Sequence, residues 1–139
     1  FQRFSFCYRP AFQIFLVAMS RLSEELRNRC KAFASHVIRL YISLPKQREE
    51  VRVLGNQLLR SGTSVAAHAR EASRARSDAE FCSKLDGLLQ EADESQLWLE
   101  LLHEDCGISS NSTQPIWAEA NELISIFTTM SRNTKRGKS

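Results

Sequence analysis

The chain has 139 residues, 42% of them hydrophobic and 25% charged, with five glycines, three prolines and a formal charge of +3. This is the length of one compact domain, enough to bury a core and too little for two. No run is apolar for the ~18 residues that a membrane span needs, and the charge is too small to name a partner.

The first element in chain order is an oddity. Phe1 to Ala18 holds five Phe, Tyr8, Arg3 and Arg9 and no acid, and Met19 stands directly before helix-like sequence. Arg3 and Arg9 ahead of an apolar Ala11–Ala18 run resemble a weak signal peptide, but Gln13 interrupts the run and no small-x-small cleavage pattern follows. The simpler expectation is sequence upstream of a start at Met19, or a fragment boundary, so residues 1–18 are set apart and the domain is placed at 19–131.

Four amphipathic helices follow. From about Arg21 to Leu44, the residues Leu22, Leu26, Phe33, Val37, Leu40, Tyr41 and Leu44 recur at steps of three and four, and Pro45 stops the pattern. A second helix is predicted from roughly Glu50 to Arg76, with Val51, Leu54, Leu58, Val65, Ala69 and Ala72 on one face. Gly62 inside it costs about 1 kcal/mol against Ala, so a close helix approach is expected there.

Ser77 and Glu80 form a capping box that opens the third helix, in which each side chain reaches the other's backbone N–H. Its main stripe is Phe81, Leu85, Leu88, Leu89, Ala92, Leu99 and Leu102, and Gly107 is a natural stop. Gly107 to Gln114 reads as a polar loop and Pro115 as the first turn of the fourth helix, which carries Ile116, Ala120, Leu123, Ile124 and Phe127. After Met130 the chain is expected to fray, leaving residues 132–139 as a basic flexible tail. The fold class that results is all-α, an antiparallel up-down-up-down four-helix bundle.

Charge is distributed unevenly along these elements. The balance is +6 from Arg21 to Lys84, −9 from Leu85 to Ser131 with no Lys or Arg, and +4 over Arg132, Lys135, Arg136 and Lys138. One half of the fold therefore attracts the other half, a neighbouring copy or a polyanion. Cys7, Cys30, Cys82 and Cys106 form no CxxC pair and have no His at ligand spacing, which suits reduced thiols in a cytoplasmic protein.

Two surfaces stand out. Leu97, Trp98 and Leu101 fall off the main stripe of the third helix, and a Trp on a second apolar face points to an oligomer contact, the competing expectation being that the N-terminal segment or a loop covers it. Arg60, Arg70 and Arg74 share a polar side of the second helix, and with Arg76, Lys135 and Arg136 they could follow the phosphates of RNA or DNA. Pairing of those arginines with Glu91, Asp93 and Glu94 is the competing expectation.

Chemistry is sought without success. Glu100-x-x-His103 has the spacing of di-iron bundles, but a second such motif and further inward carboxylates are missing. Gly62-Thr63-Ser64 lacks a preceding strand and any Gly-x-Ser-x-Gly, and no Gly-rich phosphate loop occurs. No catalytic residue, metal, cofactor or small-molecule substrate is expected, and no membrane partner.

The run Gln57-Leu58-Leu59-Arg60-Ser61-Gly62-Thr63-Ser64-Val65-Ala66-Ala67, then Arg70-Glu71-Ala72 and Arg74-Ala75-Arg76-Ser77, resembles the bacterial four-helix bundle proteins, also called ribosomal RNA intervening-sequence proteins. Glu80-Phe81, Lys84-Leu85, Glu91-Ala92-Asp93-Glu94-Ser95 and Trp98-Leu99-Glu100-Leu101-Leu102 continue the likeness, which spans about Met19 to Phe127. The resemblance implies a cytoplasmic bundle assembled as a ring-like homopentamer. It also implies kinship with the accessory proteins of diversity-generating retroelements, basic pentamers thought to bind nucleic acid and a reverse transcriptase. The chain departs from the pattern at His68, where Asn is commoner, in its N-terminal segment, and in being less basic than the retroelement proteins. No catalytic residue carries over. The expected function is that of a non-enzymatic homo-oligomeric structural or adaptor protein, with nucleic-acid binding as the alternative.

Overall fold

A computed structural model describes residues 20–137. Over these the chain forms four helices, α1 (Glu24–Ser43), α2 (Glu49–Ser73), α3 (Asp78–Glu104) and α4 (Ser110–Lys135). Their short connections force antiparallel neighbours, and each helix packs on the next, with α4 closing weakly on α1. The fold is the expected all-α bundle.

Each terminus has a local cause. The Ser23 hydroxyl accepts from the N–H of Leu26 and starts α1. Leu44, held extended by the following Pro45, ends it. Lys46 then folds back, its Nζ 2.7 Å from the carbonyl of Tyr41, which also accepts from the Leu44 N–H, and 3.2 Å from that of Ile42, which puts a cation at the negative end of the helix.

The second helix ends at Ser73, three residues short of the predicted Arg76. The reason is the chain reversal: Arg74 and Ala75 close tight turns onto Glu71 and Ala72, and Ser77 must be extended to cap α3. One arm of the expected capping box is present, the N–H of Glu80 donating to the Ser77 hydroxyl at 3.1 Å. The other arm reaches one residue further than predicted, the Glu80 carboxylate accepting from the N–H of Arg76 at 3.0 Å.

Gly107 stops α3 in the left-handed region at φ 72°. The predicted Gly107–Gln114 loop is shorter in the structure, because Ser109 caps α4 by accepting from the N–H of Asn111, and residues 110–114 are already helical. Pro115 consequently lies inside the helix, not in its first turn. At the far end α4 runs to Lys135, past the expected start of a flexible tail. The Thr134 hydroxyl bonds the carbonyl of Met130, and Lys135 lies 3.2 Å from Asp86 of α3.

The core follows the four stripes. Phe33 and Val37 of α1, Leu58 and Val65 of α2, Leu85, Leu88, Leu99 and Leu102 of α3, and Leu123 and Phe127 of α4 are fully buried. Each such side chain contributes on the order of 1.5–3 kcal/mol by leaving water. Leu26, Tyr41, Leu54, Leu89 and Ile124, also assigned to the stripes, are half-buried at their flanks. Gly62 is the expected close approach: a Cβ there would meet Val37 Cγ2 at 2.7 Å. Between α2 and α3 the hydroxyls of Ser61 and Ser95 bond each other at 2.8 Å, both fully buried. Cys30, Cys82 and Cys106 are free, buried thiols, while Cys7 and the segment 1–18 lie outside the described residues.

Candidate interaction surfaces

The pairings between α2 and α3 set their register: Ser61 opposite Ser95, Arg60 beside Glu91 and Glu94, Glu71 beside Lys84. In this antiparallel register Val53, two turns before Arg60 on the same side of α2, lies at the level of Leu101 to His103, about a turn beyond Trp98. Val53 is 48% exposed and Leu97 is 45% exposed. Trp98 and Leu101 are half-buried, the indole resting on the core with its N–H enclosed and without an acceptor. Leu97, Trp98 and Leu101 thus lie on one outward flank of α3, and α2 adds Val53, which sequence reading missed because a lone Val beside the main stripe gives no periodic signal.

Leu97 has a negative surround. Its helical neighbours at three and four residues are Asp93, Glu94, Glu100 and Leu101. Glu94 holds Arg60 at 3.0 Å, and Glu100 accepts the indole N–H of Trp117 at 2.8 Å.

A second outward apolar pair lies on α1, where Ile38 is 40% and Ile42 is 70% exposed. The four-residue spacing stacks them on one face. Their surround is positive: Lys31 two turns before Ile38, Arg39 next in the chain, and Lys46 against the last turn. Between Leu26 and Ser43 helix α1 carries no acid. This pair was legible as an i, i+4 apolar repeat off the main stripe.

The six predicted basic residues separate into three groups. Arg60 is engaged, its guanidinium 3.5 Å from Glu91 and 3.0 Å from Glu94. Lys135 is tied to Asp86, and Arg136 follows it at the exposed C-terminal end of α4. Arg70, Arg74 and Arg76 line an open cleft of about 490 Å³ together with Glu71, Glu80 and Lys84. In that cleft Lys84 donates to Glu71 at 2.8 Å; the bond holds the Glu71 carboxyl below its ordinary range and raises the Lys84 ammonium. Glu80 is occupied by the N–H of Arg76, so the three guanidinium groups have no carboxylate partner among the described residues.

Part of the charge asymmetry along the chain is taken up inside the fold. Arg29 of α1 makes a two-pronged bond to Glu119 of α4, at 2.6 and 3.0 Å; within the basic half, Arg21 bonds Asp78 at 2.7 Å. Such partly exposed pairs contribute about 0–1 kcal/mol each.

Glu100 and His103, the metal-spaced pair, border a cleft of about 230 Å³ at the α3–α4 end. Both have structural partners: Glu100 the Trp117 indole, and His103 Nδ1 the Ile108 carbonyl at 2.7 Å. No three His, Cys, Asp or Glu among the described residues converge as metal ligands. His68 rests its ring on Gly87, where a Cβ would come within 3.1 Å of it, so the larger ring is accommodated by the absence of a side chain opposite. No described helix is long and apolar enough to cross a membrane.

Residues 24–129 match the family described as 23S rRNA-intervening sequence protein. Among solved structures, the chain is similar to a protein of unknown function from the S23 ribosomal protein family of Bacteroides thetaiotaomicron. The two are 34% identical with a TM-score of 0.70, over 76% of this chain and 97% of that one. No curated protein matches the chain.

Proposed function

The chain belongs to the 23S rRNA-intervening sequence protein family, and from that premise we propose that it is a non-enzymatic, cytoplasmic homo-oligomer that serves as a structural or adaptor protein. A pentamer is the state that the family resemblance suggests. The observation that carries the reading is the α3 flank, where Leu97 is about half exposed beside the half-buried Trp98 and Leu101, with a similarly exposed Val53 of α2 at the level of Leu101. Apolar surface of this kind next to a Trp is typical of interface cores, and covering it by a copy removes it from water. Light scattering across a concentration series tests this. A mass several times that of one chain is expected, and a protein still monomeric at high concentration overturns the reading.

A second reading, binding of RNA or DNA, is favoured by Arg70, Arg74 and Arg76, whose guanidinium groups pair with no carboxylate among the described residues and whose cleft is open to a phosphate backbone. Arg60, Lys135 and Arg136 contribute less here, the first two being held by acids. A triple Arg→Glu replacement at positions 70, 74 and 76 is expected to abolish low-salt binding to a labelled oligonucleotide. Binding that persists unchanged, or none by the unaltered protein, removes this reading.

A further inference from the structure

The two exposed apolar patches differ in the sign of what surrounds them. On α3, Leu97 is 45% exposed with Asp93 and Glu100 one turn away on either side and Glu94 paired to Arg60; on α1, Ile38 and Ile42 are 40% and 70% exposed with Arg39 next in the chain and Lys31 and Lys46 towards the two ends of the face. Helices α1 and α3 sit diagonally in the bundle and share no contact, so neither patch can cover the other within one chain.

We propose that the two patches are the two halves of a single contact between copies: the Leu97–Leu101 face of α3 on one protomer seats on the Ile38–Ile42 face of α1 on the next. This rests on the oligomeric reading above and says which surfaces make it. The occupant follows from charge. If the α3 face met its own copy about a two-fold axis, the carboxylates of Asp93 and Glu100, which no cation holds among the described residues, would be brought against their equivalents, and like charges facing each other across an interface suppress that pairing. The α1 face against itself would repeat the problem with Lys31, Arg39 and Lys46. Only the mixed pairing buries both apolar patches and sets opposite charges around the rim. A contact between two different surfaces is head-to-tail and leaves one of each free at the ends, so it continues until it closes into a ring or extends as a filament.

Complementation tests it. Ile42→Asp and Leu97→Asp each spoil one half and leave the other intact. Both residues lie on the surface, so folding should survive, and circular dichroism checks this; Ile42→Ser and Leu97→Ser are the milder alternatives. Each variant alone is expected to sediment as a single chain of 15.9 kDa. An equimolar mixture should form a pair of twice that mass, joined through the two intact halves. Should Ile42→Asp remain fully oligomeric while Leu97→Asp does not, copies meet through α3 alone and the mixed pairing is wrong, although the oligomeric reading stands. If both variants stay oligomeric, or the mixture stays monomeric, the proposal likewise fails. An unaltered protein that is itself a monomer fails the oligomeric reading first, a result distinct from the others.

Discussion

Gly62 shows how one missing side chain sets a helix separation. A Cβ at this position would lie 2.7–3.0 Å from three atoms of Val37, a β-branched residue with no free rotamer to yield. Gly62→Ala gains about 1 kcal/mol of helix propensity and loses about 1–3 kcal/mol to overpacking. A net fall in Tm is therefore expected, with recovery when Val37→Ala is added. Two equal melting curves for Gly62→Ala and the parent would contradict the close approach. Cys30 makes a second case. Burial pushes its thiol up to about 12 from an ordinary value near 9, the nearby Glu119 adding to the effect and Arg29 opposing it. The unfolded chain therefore sheds this proton near pH 9 while the folded chain keeps it to about 12. The sign follows: Cys30 contributes nothing to the pH dependence below that window, and within it stability falls as pH rises. Denaturant midpoints between pH 7 and 11 should decline more steeply for the parent than for Cys30→Val, and native Cys30 should resist thiol reagents at pH 8.

At the scale of a helix, Pro115 is the informative residue. Helix α4 starts at Ser110, so Pro115 sits where an N–H would bond the carbonyl of Asn111, and its ring crowds that carbonyl. Read as the first helical residue, it would be favourable and its replacement neutral or harmful. The observed position reverses the expectation: Pro115→Ala should raise Tm by the equivalent of roughly 1 kcal/mol or more, the restored bond outweighing the greater freedom of the unfolded chain. A lower Tm would instead place the helix start at Pro115. Sequence could not decide this, because Ser109 and the residues after it are as good in a loop as in a first turn. Lys46 was equally silent: its value comes from reaching two carbonyls of the last helical turn and that of the capping Leu44, contacts that require the Leu44–Pro45 bend to exist first.

For the whole molecule, part of the acid-rich second half is neutralised across helix seams, by Arg29 and Arg60 of the base-rich first half and by Lys135 of the tail. What escapes this matching is local: Asp93 and Glu100 about Leu97, the bases along the Ile38–Ile42 face, and the arginines at the α2–α3 turn. Assembly through the two apolar patches accordingly has a rim of exposed opposite charges, which salt screens within about 8–10 Å at 0.1–0.15 M. Raising salt from 50 to 500 mM is expected to weaken association several-fold without dispersing it, since the apolar centre is insensitive to screening. An assembly that tightens steadily with salt would show that the charged rim plays no attractive part.

The four apolar stripes, the Ser77 cap and the glycine at the α1–α2 crossing were all readable in order along the chain, because each depends on residues within a few positions of one another. The Leu97–Trp98–Leu101 flank was visible for the same reason, as a second periodicity in one helix. What each surface residue pairs with was not readable. Arg60 and Arg70 are alike on a helical wheel, yet one is held by Glu91 and Glu94 of α3 and the other lines an open cleft. The spacing of Glu100 and His103 suggests ligands, and only packing shows that Trp117 and Ile108 occupy them. Helical periodicity is a property of a single segment, whereas the fate of a charge depends on the register between segments distant in sequence. That register is set by the jigsaw of Gly62 on Val37 and Ser61 on Ser95, which exists only once the bundle has closed.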